Sequence, residues 1–268
     1  DMGVIGRSCV SGLKRCVCFC LLLVFSVSMA HAAIVIQRTG ASYSTLLDAV
    51  NASQNNDVLV LTSNTQLGYG DVSIPNGMSL SIKGNGYSII RSYYLQDGTL
   101  YNAGIYEIIV SGRLDVENLV LDGNNMSSYY YSDDYGYCCL VRLTGGTMVM
   151  DANSKITHVS DNPAVYISNG GILRGGIITE NTNNSCKYGI VYVNSSSSYL
   201  INTKIINNAV NYRDGSTAVV YNGSAGRLVN CLIAQNRREG DNGSAVRITS
   251  SGRIINCTIV DNANMYGV

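Results

Sequence analysis

The chain contains no tryptophan and only two prolines among its 268 residues, and just 13% of them carry a charge. Twenty-eight glycines with so little proline exclude a collagen-like repeat and a proline-rich linker. A hydrophobic content of 46% is too high for a disordered chain. Lys plus Arg and Asp plus Glu each number 18, so there is no cationic surplus to track phosphates, and no nucleic-acid partner is expected. What the chain does have in quantity is Asn, Ser, Thr and Gly. These favour strands and tight turns over helices, which prefer Ala, Leu, Glu and Lys.

The N-terminus reads as a sorting signal. Arg7, Lys14 and Arg15 precede an apolar and small-residue run from Cys16 to Ala30, and Ala30-His31-Ala32 has the small-x-small pattern of a cleavage site. The run is short of the roughly 20 apolar residues of a membrane span. We therefore expect residues 1–32 to be a signal peptide, cleaved after Ala32, and residues 33–268 to be one domain, secreted or held at the cell surface. Membrane contact would come only through the signal or an anchor outside the sequence. Cleavage leaves 15 basic (18 − 3) and 17 acidic (18 − 1) side chains. Four of the nine cysteines leave with the signal; Cys138, Cys139, Cys186, Cys231 and Cys257 remain. That odd number is too few for a disulfide scaffold and lacks zinc spacing, so no metal or cofactor is expected.

Self-comparison is the informative step. Segments beginning at Val116, Ser154, Leu173, Leu200, Leu228 and Ile254 superimpose, with starts 38, 19, 27, 28 and 26 residues apart. Each ends in Asn (Asn124, Asn162, Asn181, Asn208, Asn236, Asn262), and the sixth position is always aliphatic: Leu121, Val159, Ile178, Ile205, Ile233 and Ile259. A second set of segments lies between them, starting at Leu140, Ala164, Ile190, Ala218 and Ala245. In these, apolar second and fourth positions alternate with variable ones, the period of a strand with one buried face. Tyr221 breaks the aliphatic fourth position.

Each unit thus holds two or more short strands joined by Gly, Ser or Asn turns, with no helical period between them. Helix-containing repeats and four-stranded propeller blades do not fit that pattern. The fold expected is all-β: a single-stranded right-handed parallel β-helix solenoid, in which equal positions stack at about 4.8 Å. The terminal Asn column would pair amides along the stack and tolerate the left-handed backbone of a sharp turn. Cys231 and Cys257 share a column, and a disulfide between them is left open. Ser44 to Ala52 carries Leu46, Ala49 and Val50 at helical spacing after Ser or Thr capping candidates, a short N-terminal capping helix over the end of the stack.

That helix, the Asn56-Asp57-Val-Leu-Val-Leu61 strand and Ser79-Leu-Ser-Ile-Lys-Gly-Asn-Gly86 together resemble the opening of parallel β-helix proteins of the pectin-lyase-like superfamily. The later Ile-x-Asn-x-x-Ile-x-x-Asn units resemble repeats of bacterial surface and adhesin proteins. The resemblance spans about Ser42 to Val268 and is far more specific for fold than for function. It implies either a carbohydrate-active enzyme or a binding scaffold. The chain stops within a unit, where Tyr266-Gly-Val268 repeats Tyr188-Gly-Ile190, so the domain is expected to be cut short at its C-terminus.

Glycoside hydrolysis needs two positioned carboxylates, and lyase chemistry a base with carboxylate-held calcium. The outward third position of the second strand set reads Arg142, Tyr166, Tyr192, Val220 and Arg247, with no carboxylate. The Asn-Thr-Asp, Asp-Asp and Gly-His-Gly cluster of pectin-hydrolysing relatives is absent. No catalytic residue is therefore assigned, although Asp97, Glu107 and Asp115 would reopen an enzymatic reading if they gathered on one face. His158 reads as a turn residue. The longest interruption, Asn125 to Tyr137, carries Tyr129, Tyr130, Tyr131, Asp133, Asp134, Tyr135 and Tyr137. With Tyr166 and Tyr192 these make the expected ligand-binding surface, since tyrosine offers rigid amphipathic contact area; the loop serving instead as a cover over a sheet is the alternative. The expected function is a non-enzymatic adhesin or display scaffold whose partner is a polysaccharide or a host or surface protein. A polysaccharide lyase or glycoside hydrolase, and a purely structural envelope spacer, are the rivals.

Overall fold

A computed structural model describes residues 33–96, 99–126, 139–184, 186, 188–211, 218–238 and 243–266. Among them the only helix is the six-residue Leu46–Asn51, and the strands fall into a sixteen-stranded, an eight-stranded, a three-stranded and a two-stranded sheet. The chain visits the eight-stranded and the long sheet in alternation. Ile108–Val110 is followed by Arg113–Glu117, Val141–Thr144 by Thr147–Thr157, Val165–Ser168 by Ile172–Thr179, and Val191–Val193 by Tyr199–Ile201 and Lys204–Ile206. Each strand pairs in parallel with its counterpart one lap earlier and one lap later. The fold is thus all-β, built on long parallel sheets.

Two inward columns run through the long sheet and form much of the core. Leu114, Met148, Leu173, Leu200, Leu228 and Ile254 stack in the first, and Leu121, Ile156, Ile178, Ile205, Ile233 and Ile259 in the second. Equal spacing in sequence becomes adjacency in space, so the aliphatic period sets the pairing register.

Three alignments need correction. Ile156, not Val159, pairs with Ile178, because the Met150-to-Lys155 stretch is three residues longer than its Gly175-to-Ile177 counterpart and interrupts the register. Leu114, rather than Val116, holds the first inward position of its lap. In Ala218–Asn222 the face is shifted by one residue: Val220 pairs with Val191 and is buried, while Tyr221 pairs with Tyr192 and points outward. Three consecutive small aliphatics (Ala218, Val219, Val220) leave the phase of that strand undetermined by period alone.

The corners follow one rule. At the first, Gly175, Asn202, Asn230 and Asn256 take left-handed φ of 51° to 80°. At the second, Glu180, Asn207, Gln235 and Asp261 do so, with φ of 53° to 57°. At Asn181, Asn208, Asn236 and Asn262 the left-handed residue is therefore the one before the terminal Asn, whereas Asn124 takes that backbone itself, with φ of 60°. Relieved of the turn, Asn181, Asn208 and Asn236 point inward and are buried. Their amides donate up the stack, Asn181 Nδ2 to Asn208 Oδ1 at 3.0 Å, Asn208 to Asn236 at 2.9 Å and Asn236 to Asn262 at 2.9 Å. The ladder ends where Val159 N–H donates to Asn181 Oδ1 at 2.9 Å.

At the N-terminal end Thr45 caps the helix, its hydroxyl accepting from Asp48 N–H at 3.2 Å, and Leu46, Ala49 and Val50 are buried. The helix does not cover the first strand's edge alone. Ile34–Ile36 pairs antiparallel with Asp57–Leu61 and with Ser42–Tyr43, ending the parallel series. An edge closed this way offers no open parallel template. Beside it Arg38 grips Asp57 through Nε–Oδ1 at 2.6 Å and Nη2–Oδ2 at 2.9 Å, which holds the Asp57 carboxyl below its usual range.

Candidate functional site

The outward side of the eight-stranded sheet carries one column through successive laps: Ser73, Ile109, Arg142, Tyr166, Tyr192, Tyr221 and Arg247. Strand pairing fixes the spacing, so the three tyrosines meet as a ladder. Tyr166 and Tyr192 lie 5.2 Å apart between ring centroids, and Tyr192 and Tyr221 5.4 Å apart, the second pair edge to face. Tyr188 stacks on Tyr192 at 4.4 Å and 13°, which leaves Tyr192 only 5% exposed. These are the arrangements aromatic quadrupoles favour. Guanidinium groups close the row at both ends, Arg142 over Tyr166 at 5.7 Å and Arg247 over Tyr221 at 5.6 Å.

Sequence reading placed Tyr166 and Tyr192 correctly on this face, put Val220 where Tyr221 stands, and missed Tyr188. A signal for Tyr188 was present in Gly189. That residue has φ of 76°, and a Cβ there would collide with the Ala218 carbonyl, so only glycine permits the turn that lays Tyr188 over the ladder.

The head of the column is fixed by a buried polar network. Glu107 receives Arg142 in a two-pronged pair, Nε–Oε2 at 2.6 Å and Nη2–Oε1 at 2.9 Å, and also accepts from Cys139 N–H at 2.9 Å. Buried Arg91 donates to the carbonyls of Tyr106, at 3.0 Å, and Cys139. The network thus ties Cys139 to the first arginine of the column. The loop residues expected to bind ligand, Tyr129, Tyr130, Tyr131, Asp133, Asp134, Tyr135 and Tyr137, lie outside the described residues. Both flanks of that segment are placed. Asn125 N–H donates to the His158 carbonyl at 2.8 Å on one side, and Cys139 sits against Glu107 on the other.

The acids that would have reopened catalysis do not gather. Glu107 is buried against Arg142 at the eight-stranded sheet, whereas Asp115 belongs to the long sheet and pairs with Arg113 at 2.9 Å; Asp97 lies outside the described residues. His158 is a turn residue, with φ of 55°, and its partners come from other laps rather than from its sequence neighbours. Its Nδ1 is 3.1 Å from Asp122 Oδ2 and its Nε2 3.7 Å from Glu180 Oε2. Cys231 and Cys257 stack as free thiols, with Cys231 N–H donating to Cys257 Sγ at 3.3 Å. Burial, and secondarily the neighbouring Cys257, pushes the Cys231 thiol up to about 12. Among the described residues no three His, Cys, Asp or Glu side chains are arranged to hold a metal ion.

Set against known protein families, curated proteins and solved structures, the chain matches none of them.

Proposed function

We propose that the chain is a right-handed parallel β-helix of the pectin-lyase-like kind, secreted or displayed at the cell surface, that acts as a non-enzymatic adhesin or display scaffold. Its ligand is a glycan lying along the tyrosine ladder. The observation that carries this reading is the Arg142–Tyr166–Tyr192–Tyr221–Arg247 column with Tyr188 stacked on it. With Tyr192 covered, the partly exposed Tyr166, Tyr188 and Tyr221 around it offer ring and hydroxyl contacts to successive sugars of a chain. The column holds no carboxylate, so the two-carboxylate chemistry of glycosidases has no seat in it. Alternating visits of the chain to two parallel sheets support the solenoid.

The experiment is a glycan array read with the parent protein and a Tyr166→Ala/Tyr221→Ala variant. A parallel assay on pectin, alginate and glycosaminoglycans follows released unsaturated or reducing ends. Saturable binding that the variant loses while still unfolding cooperatively at a modestly lower melting temperature, without turnover, is the expected result. Release of product replaces the adhesin with an enzyme. The second reading, a lyase or hydrolase, rests on the His158 imidazole between Asp122 and Glu180, an acid–base arrangement assembled from three laps. On that reading His158→Gln abolishes product release.

A further inference from the structure

The outward side of the long sheet differs from the tyrosine face and carries a second pattern, confined to the later laps. One column reads Ile172, Tyr199, Arg227, Arg253, and the column beside it Arg174, Ile201, Val229, Ile255. Arg227 donates to the Tyr199 hydroxyl and lies 5.3 Å over its ring, while Arg253 stands directly opposite Arg227 in the parallel pairing. Like charges set opposite one another weaken a sheet. Among the described residues no carboxylate pairs with Arg174, Arg227 or Arg253. Nothing in the fold accounts for cations stacked in this way. The aliphatic column beside them ends in Ile255, 38% exposed.

From this juxtaposition we infer that the outer face of the long sheet, over Arg174, Tyr199, Arg227, Val229, Arg253 and Ile255, is a docking surface for an acidic, aliphatic-rich polypeptide segment. Charge complementarity sets the sign of the partner. Guanidinium groups take carboxylates through paired N–H donors, and two of them here repeat at the strand spacing of about 4.8 Å. The second column selects among anions. β-Branched aliphatic side chains about 7 Å from the arginines, two residues along each strand, match the apolar side chains of a protein. Aromatic faces, on which sugars and bases stack, are represented only by Tyr199. Arg and Tyr beside aliphatic groups is the composition of protein interface centres. Three cations are also too few for strong attachment to a nucleic acid, whose affinity grows with each phosphate neutralised. The proposal does not depend on the glycan reading, because it uses a different sheet and none of the same residues.

The test titrates the protein with a labelled synthetic peptide of alternating Glu and Val, with alternating Lys and Val, polyglutamate and heparin as comparisons. The Glu/Val peptide binds saturably and most tightly of the four. An Arg227→Gln/Arg253→Gln variant weakens it about tenfold, the loss expected when the cationic partner of two surface charge pairs is removed. Tyr166→Ala/Tyr221→Ala leaves it unchanged. Ile255→Ser, at an exposed position, weakens it severalfold, and that variant decides the matter if the arginine pair melts early. Absence of saturable binding, equal binding of Lys/Val, or an arginine variant that binds like the parent overturns the proposal. Polyglutamate as tight as Glu/Val removes the aliphatic column from it. Heparin tighter than either peptide assigns the face to a polysaccharide instead.

Discussion

From Ile172 onward each lap of the chain turns two sharp corners in the long sheet, and the two corners distribute their stabilisation differently. At the first, the left-handed position is held by Gly175, Asn202, Asn230 and Asn256, the residue types that adopt that backbone at least cost. The residue that follows is Gly176 in the first of these laps and Thr203, Cys231 or Cys257 in the later ones. There the single hydroxyl or thiol donor reaches back to main-chain carbonyls, as from Thr203 Oγ1 to Gly175 O at 3.1 Å and from Cys231 Sγ to Leu200 O at 3.4 Å. At the second corner Glu180 and Gln235 share the left-handed column with Asn207 and Asp261, a less suitable set, but from Glu180 onward the inward residue is Asn; one lap earlier, after left-handed His158, it is Val159. Asn208 alone donates to Ile178 O, Ile206 O and Asn236 Oδ1 and accepts from Asn181. One corner is favoured by its backbone residues and the other by its side-chain ladder.

The largest expected effect comes from breaking that ladder. Asn208→Ala strands the buried Asn181 backbone N–H, which donates to Asn208 Oδ1 at 3.0 Å, and takes the Asn208 amide donor away from the Ile178 and Ile206 carbonyls. Each unsatisfied buried group costs about 1–3 kcal/mol, so the variant should lose about 3 kcal/mol or more in denaturant unfolding. Asn262→Ala removes the last rung, which is only half-buried, and should lose about 1 kcal/mol. Equal losses at the two positions would show that the ladder does not act cooperatively.

Next in size is the matching change at the first corner. Cys231→Ala removes a weak thiol donor and leaves a small cavity, for a loss of about 1–2 kcal/mol. Cys231→Ser should lose less than Cys231→Ala in the same melt, since it keeps a donor at the same place. The thiols themselves report the corner's packing. The thiolate is the reactive form, so Cys231, pushed up to about 12, stays unlabelled by an alkylating reagent at pH 8 while half-buried Cys257 reacts. Labelling of Cys231 at the same rate would mean that the corner opens.

The corners also show what could be read before the structure. Aliphatic period and repeated Asn identified the strands and the amide ladder, because parallel laps convert equal spacing in sequence into contact. The phase of Ala218–Asn222 was hidden by three aliphatic residues in succession. The antiparallel strands Tyr93–Gln96 and Thr99–Ile105 lie N-terminal to Val116, in a stretch that supplies none of the repeated segments. Glu107 with Arg142, and His158 with Asp122, are partners 35 and 36 residues apart, and nothing local marks either pair. For the candidate site, the column was legible and its occupant at Tyr221 was not. One aliphatic residue read on the wrong face was enough to divide the ladder.

The smallest effect tests whether the second corner carries the strain its residues imply. Gln235 holds φ of 57°, a region that costs an ordinary L-residue about 1–2 kcal/mol and glycine almost nothing. Gln235→Gly should therefore stabilise the protein, but by less than that amount, because glycine also gains freedom in the unfolded chain; a net gain of about 0.5 kcal/mol is expected. Asn230→Gly, at the corner already suited to its turn, should gain nothing or lose slightly. If Gln235→Gly destabilises instead, the exposed Gln235 side chain contributes something the corner needs, and the division between backbone-favoured and ladder-favoured corners fails on the strained side.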